Sequence, residues 1–369
     1  MTKIIAYYLP QYHSIPENDR WWGKDFTEWT NVRNSRPLFH KHRQPYLPLN
    51  ENYYNLLNRD TLEWQVSLCR KYGIYGWAIY HYWNKGKLLL EKPVQNLLSW
   101  KDLPIHFCLT WANHDWTNSW TGGSDVLVKQ EYGEEKDWCK HYKYLSPFFH
   151  DDRYIKIFNK PLFIIYRPQD IATLDKMVSF LNNECIKDGF DGIFIVNTIW
   201  TPQDMKEEKI INSCEALTFK EFRYTQIALR NDHSLRNKIN SFLFKMYLKR
   251  IAADHLEVYS YKTMTNTSFR LMSKLSSDKP LYYNVFTSWD TTPRYKENSS
   301  IILGATPTSF ERHLKRMLRL SNDNSADYLF VRAWNEWGQS MALEPSQIYG
   351  YGFLEAVHNA LLEESLYDI

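Results

Sequence analysis

Tyr328-Leu329-Phe330-Val331-Arg332-Ala333 is a short apolar run, and it ends in Trp334-Asn335-Glu336-Trp337-Gly338-Gln339, a tip of rings and hydrogen-bonding groups. The same pattern of apolar or β-branched run, polar aromatic tip and helical stretch recurs along the chain. The other runs are residues 3–8, 75–80, 105–111, 162–166, 192–198, 214–218 and 281–286. Helical periodicity fills residues 61–71, 171–187 and 309–321, the last begun by the cap-like Pro307-Thr308-Ser309. Strands alternating with helices predict a parallel sheet buried on both faces, and eight of them predict an α/β fold of the (β/α)8 TIM-barrel type. A doubly wound sheet is the alternative; no G-x-G-x-x-G follows the first strand to favour its dinucleotide version.

A chain of 369 residues is compatible with one such barrel, so residues 1–369 are expected to form a single catalytic domain. Residues 220–279 read as an insertion between strands six and seven. The near-balance of 45 bases and 42 acids argues against nucleic acid as a partner. No apolar run reaches the roughly 18 residues of a membrane span, and the run from Ile4 to Leu9 is too short for a signal sequence. Five scattered cysteines without a C-x-x-C pair read as reduced thiols of a cytoplasmic protein. The strongest compositional signal is aromatic: 15 Trp, 26 Tyr and 19 Phe. Amphipathic rings suit a sugar, with its apolar faces and hydroxyl rim, and they equally suit an aromatic-rich core.

Active residues of such barrels stand at the C-terminal strand ends. Here those ends carry Tyr8, Gln11 and Tyr12; His81, Tyr82 and Trp83; Trp111, Asn113, His114, Asp115 and Trp116; Trp289, Asp290 and Arg294; and Asn335, Glu336, Trp337 and Gln339. Five tips with rings beside polar groups would make a sugar-sized groove. Structural alternatives stand beside several of them: His81 as a satisfied interior histidine, Asp290 as a helix cap. His40, His42, His106, His141 and His150 read as structural or surface residues, and Glu131, Glu134 and Glu135 as a solvated face. No spacing points to a metal, and no cofactor is expected. An acid after an apolar strand, between Asn335 and two tryptophans, has little structural reason to be there, so Glu336 is the leading catalytic candidate.

The ordered series from Tyr7-Tyr8-Leu9-Pro10-Gln11-Tyr12-His13 through Phe26-Thr27-Glu28-Trp29-Thr30-Asn31-Val32, Tyr80-His81-Tyr82-Trp83, Trp111-Ala112-Asn113 and Trp289-Asp290-Thr291-Thr292-Pro293-Arg294 to Trp334-Asn335-Glu336-Trp337 resembles the WbsX-type glycosyltransferase family. That family is similar to the family 99 glycoside hydrolases, the endo-α-mannosidase group. The resemblance implies a TIM-type barrel, action on glycosidic bonds and a place in making bacterial surface polysaccharide such as O-antigen or capsule. In the resembled hydrolases two glutamates three residues apart serve as base on the sugar 2-hydroxyl and as acid/base for the leaving oxygen. Glu336 stands at the first position. The second falls on Gln339, which neither gives nor takes a proton, and the acid expected after Trp-Ala-Asn falls on His114, with Asp115 next to it. Glu344-Pro345 keeps the closing Glu-Pro.

Hydrolysis of an ordinary glycoside needs a proton for the leaving group, worth roughly 10²- to 10⁴-fold. With Gln339 in the acid position, that proton must come from His114, Asp115 or Glu344. Transfer from a phosphate-activated donor needs one base, Glu336, and cations for the phosphate, for which His81, Lys85, Lys87 and Arg294 are available. No Asp-x-Asp metal–phosphate pair accompanies them. A glycosyltransferase is therefore the first expectation, a hydrolase the second and a non-catalytic glycan-binding barrel the third. The expected partners are a glycan or activated sugar donor and a lipid-linked acceptor at the inner-membrane face. Residues 220–254 carry eight bases and three acids, and 239–250 mix large apolar side chains with Lys245, Lys249 and Arg250. That segment reads either as a membrane-resting helix or as an ordinary helix on the barrel.

Overall fold

The computed structural model describes residues 2–118, 125–231 and 256–367. Among these, nine parallel strands make a nearly closed barrel: β1 (Lys3–Tyr8), β2 (Gly76–Asn84), β3 (His106–Trp111), β4 (Lys160–Ile165), β5 (Phe194–Ile199), β6 (Ala216–Phe219), β7 (Leu281–Tyr282), β8 (Asn284–Phe286) and β9 (Tyr328–Arg332). Their order is β7-β6-β5-β4-β3-β2-β1-β9-β8, so each strand lies beside its sequence neighbour and β1 meets β9. All eight expected runs are strands. The seventh is broken at Tyr283, which separates β7, paired with β6, from β8, paired with β9. The two ends of the sheet are thus joined through a single residue, whose carbonyl accepts the Phe330 N–H at 2.9 Å.

The strands are apolar on both faces because side chains fill the barrel on one side and meet helices on the other. Gly76 shows how tight the pairing is: a Cβ there would lie 2.5 Å from the carbonyl oxygen of its register partner His106. Helices Arg59–Tyr72, Glu135–Phe149, Leu174–Lys187, Pro307–Asp323 and Gly352–Tyr367 cover the outside. The last-but-one starts two residues earlier than its sequence pattern suggests, because Thr306 caps it, accepting the Ser309 N–H at 3.2 Å.

Within the inserted segment, helices Glu221–Arg230 and Tyr261–Met272 lie against each other and against Pro307–Asp323. Glu221 accepts from Ser268 and meets His313 Nε2 at 2.9 Å. The strand Glu257–Ser260 pairs in parallel with Ser300–Leu303. The amphipathic segment 239–250 lies outside the described residues. Among the described residues no helix is long and apolar enough to cross a membrane.

Candidate active site

At the C-terminal mouth of the barrel a cavity of about 320 Å³ opens, and every strand except the short β7 sends a residue to it. Leu9 and Gln11 follow β1; Tyr80 and Tyr82 end β2; Ala112, His114, Asp115 and Trp116 follow β3. Tyr166, Trp200 and Lys220 follow β4, β5 and β6, while Trp289 and Arg294 follow β8 and Glu336 and Gln339 follow β9. Trp22, Thr117 and Tyr295 complete the lining.

Glu336 is buried, with two hydrogen-bonded neighbours. Its Oε1 accepts from the Tyr80 hydroxyl at 3.1 Å, and that hydroxyl accepts from Arg332 Nη1 at 2.8 Å. Its Oε2 accepts from the Gln339 amide at 2.8 Å, with the amide oriented so that its oxygen accepts from Arg294 Nη1 at 2.5 Å. Arg294 in turn forks onto Glu28 at 2.8 and 3.1 Å in a buried ion pair. Gly338 lies over that pair: a Cβ there would come within 1.7 Å of Glu28 Oε1. The turn after Glu336 therefore needs glycine so that the Glu28–Arg294 pair can pass beneath it.

Among the described residues the other carboxylate lining the cavity is Asp115, an exposed rim residue whose Oδ1 accepts the Gln130 N–H at 2.6 Å. His114 stands next to it in the wall. Burial, reinforced by Arg167 and Lys220, lowers its pKa to about 4, so it is a neutral imidazole at pH 7 and a poor proton donor. Tyr82 receives a hydrogen bond from Gln11 Nε2 at 3.2 Å and meets Trp116 edge-on at 5.2 Å. On the opposite wall Trp289 stacks on Phe222 with centroids 4.2 Å apart.

Ten of the residues singled out from the sequence do not line this cavity. Strand alternation explains His81 and Trp83: Tyr80 and Tyr82 face the mouth, so the two residues that alternate with them face helix Glu135–Phe149. His81 Nε2 meets His141 Nε2 at 2.9 Å, Trp83 stacks on the His141 ring at 4.7 Å, and burial holds His81 neutral with a pKa of about 3. Trp111 donates to the Trp83 carbonyl at 3.0 Å behind the same wall. Tyr8 faces outward to Gln65 at 2.8 Å. Tyr12 bonds the Asn335 carbonyl, while the Asn335 side chain clasps Leu9 N and O at 2.7 and 3.1 Å, tying β9 to β1. Asn113 does the same for Arg167, at 2.9 and 2.8 Å.

Asp290 has its carboxylate occupied by His42 at 2.7 Å, Gln44 at 2.6 Å and the Thr292 N–H at 2.9 Å. It anchors the 38–46 loop, closer to the capping alternative than to hydroxyl binding. Trp337 and Glu344 form a separate buried cluster, in which Glu344 accepts from Trp337 Nε1, Tyr54 and Gln65 at 2.7 Å each, and burial pushes its pKa up to about 7. It borders a different cavity and so is out of reach as a proton donor to a substrate at Glu336. The cations expected to meet a phosphate also move: Lys85 and Lys87 are exposed and paired with Glu131 at 3.7 Å and Glu17 at 3.2 Å.

Sequence reasoning missed Tyr80, Tyr166, Trp200 and Lys220. Tyr80 was detectable from alternation once Tyr82 is placed inward. Lys220 ends a strand at the position where a tip residue belongs, but its charge reads as the start of the basic insertion.

The chain's sequence matches the family model described as "Glycosyltransferase WbsX" over residues 4–357. Two uncharacterized WxcX proteins from strains of Xanthomonas campestris pv. campestris are 31% identical over 362 residues, which is 97% of this chain and 49% of theirs. The chain thus spans about half the length of the curated relatives it matches. The GH99 endo-α-mannosidase from Bacteroides thetaiotaomicron has the same fold, with a TM-score of 0.59 at 11% identity over 98% of this chain and 96% of that one. A structure described as a glycoside hydrolase-like protein gives a TM-score of 0.62 at 11% identity, covering 97% and 93%.

Proposed function

Because the chain belongs to the WbsX glycosyltransferase family, we propose that it transfers a sugar from a phosphate-activated donor to an acceptor hydroxyl in the barrel mouth, with Glu336 as the base. The observation that carries this is the pairing of Glu336 with Gln339. Where a second proton-transferring carboxyl would be needed to cleave an ordinary glycoside, an amide bridges Glu336 to Arg294. A phosphate leaves as a stable anion and needs no acid, so one carboxylate is sufficient. Glu336, held by the Tyr80 hydroxyl and the Gln339 amide, has its position set by both. Tyr82, Trp116, Trp200 and Trp289 offer ring faces and edges to the sugar carbons. The place of this reaction is the assembly of surface polysaccharide, O-antigen or capsule, on a lipid-linked acceptor.

A second reading, glycoside hydrolysis, is favoured by the fold shared with the endo-α-mannosidase, and it would need Asp115 as the acid. One experiment separates the two. The purified chain is offered a panel of nucleotide sugars with an acceptor glycan, and separately an unactivated mannan-type glycan, and released nucleotide and reducing ends are measured. Acceptor-dependent nucleotide release supports transfer. Rapid cleavage of the unactivated glycan overturns it in favour of hydrolysis.

A further inference from the structure

Lys220 follows β6 directly and precedes helix Glu221–Arg230. Its N–H donates to the Ile199 carbonyl at 2.8 Å and its carbonyl accepts the Tyr224 N–H at 2.9 Å, so its backbone is held from both sides. The residue is only 6% exposed, and what is exposed opens into the cavity. Nζ lies 5.2, 5.7 and 6.0 Å from the ring centroids of Tyr166, Trp200 and Trp289. Among the described residues it has no carboxylate partner and no hydrogen-bond acceptor. A buried ammonium ordinarily requires such a partner, and a cation at a helix N-terminus opposes the helix dipole. Cation–π attraction to the three rings offsets part of that cost and leaves the need for an anion unmet. Arg294, the neighbouring buried cation, is engaged by Glu28 and Gln339, while Arg332 donates from Nη1 to Tyr80 and keeps its Nε and Nη2 without a hydrogen-bond partner.

We propose that Lys220 in its box of three rings receives the diphosphate of the activated sugar donor in the cavity it lines together with Glu336. The assignment rests on the transfer reading above and names its leaving-group residue. In the step, the acceptor hydroxyl gives its proton to Glu336 and its oxygen bonds to the anomeric carbon. The bond from that carbon to the phosphate oxygen breaks, and its electron pair leaves with the diphosphate. The departing diphosphate gains one negative charge, which the Lys220 ammonium meets in a site with little water to compete. Burial, and then the nearby Arg332, hold the empty-site pKa of Lys220 well below that of an ordinary lysine, with Glu336 opposing. A bound anion reverses that shift, so diphosphate binding and protonation of Lys220 are coupled.

Inorganic pyrophosphate is titrated calorimetrically into the full chain, into Lys220→Met and Lys220→Arg, and into Lys176→Gln as an exposed control. Binding is expected to weaken at least tenfold in Lys220→Met, to stay within about threefold in Lys220→Arg, and to be unchanged in Lys176→Gln. Wild-type binding should weaken as the pH rises from 7 to 9.5, and Lys220→Arg should lose that dependence. Removal of an unpaired buried cation should also raise the Tm of Lys220→Met by about 1–3 °C, a gain that a lysine serving only the fold would not give. GDP and farnesyl diphosphate as further ligands tell a nucleoside donor from an isoprenoid one. Equal pyrophosphate binding by wild type and Lys220→Met, or none by wild type, overturns the proposal. If Lys220→Met does not fold, the pH profile of Lys220→Arg decides: a fall in binding from pH 7 to 9.5 as steep as that of wild type removes Lys220 from the role. Turnover lost in Glu336→Gln beside Lys220-independent pyrophosphate binding would retain the transfer reading and discard Lys220. Lys220-dependent binding with turnover indifferent to Glu336 would do the reverse.

Discussion

Glu336 and Gln339 are three residues apart on one turn, and the chemistry depends on the difference of a single atom between them. Replacing the Glu336 carboxylate by an amide in Glu336→Gln preserves shape and removes the proposed base. Turnover is expected to fall by about two to four orders of magnitude with an unchanged Tm, and a steady-state assay with a thermal melt checks both halves. Gln339→Glu tests the other partner. It places a second carboxylate 2.8 Å from Glu336 while keeping an acceptor for Arg294. In a transferase this change is expected to bring no gain in rate, because two close carboxylates raise one another's pKa and the base is partly protonated. A rise in cleavage of unactivated glycosides would instead reveal a hydrolase that had lacked its acid. Glu336 and Gln339 were both legible from sequence because they directly follow an apolar strand. Lys220 was not, since nothing in a run of mixed charges shows which lysine turns inward toward three rings.

At the scale of elements, alternation along each strand decides which half of a motif faces the cavity. In Tyr80-His81-Tyr82-Trp83 the two tyrosines line the mouth, while His81 and Trp83 pack on His141 behind it. The motif reads as one unit in sequence, and its two faces have different work. The turn Trp337-Gly338-Gln339 shows the same dependence on neighbours. A methyl group at Gly338 collides with Glu28, so Gly338→Ala must separate the buried Glu28–Arg294 pair or shift the turn that holds Glu336 and Gln339. Disrupting a buried pair typically costs about 3–5 kcal/mol. Urea unfolding should show a loss of at least about 2 kcal/mol, together with reduced turnover. A variant of wild-type stability and rate would mean that the turn has slack that the geometry denies.

The whole molecule carries a pH dependence in its buried histidines. Burial lowers His81 to about 3 and His13 and His114 to about 4, and it lowers His141 well below an ordinary histidine. Below about pH 6.5 the unfolded chain binds protons at these positions that the folded chain refuses until pH 3–4. Their contribution to stability is therefore complete above about 6.5 and is lost as the pH falls from there toward 4. Glu344, raised to about 7, works in the opposite sense, favouring the fold at low pH and losing that contribution as the pH rises through 7. Four histidines outweigh one carboxyl, since each pKa unit is worth about 1.4 kcal/mol. Scanning calorimetry should show the Tm falling steadily between pH 6.5 and 5, and a flat Tm over that range would contradict the buried neutral histidines.

The linear order of apolar runs and polar tips was enough to determine the barrel, its eight strand positions and the end at which the cavity opens. Each of these follows from local patterning that repeats along the chain, and burial on both faces leaves a strand's composition little freedom. Tertiary structure alone decided which tip residues face the cavity, that Asp290, Trp337 and Glu344 belong to the support behind it, and that Lys220 lines the same cavity as Glu336. Those outcomes depend on contacts between residues far apart in the chain, Glu28 with Arg294 and Lys220 with Trp289, for which sequence spacing holds no signal. The break of the seventh strand at Tyr283 is of the same kind. It is set by where β6 and β9 lie when the barrel closes, and one continuous apolar run from 281 to 286 gives no hint of it.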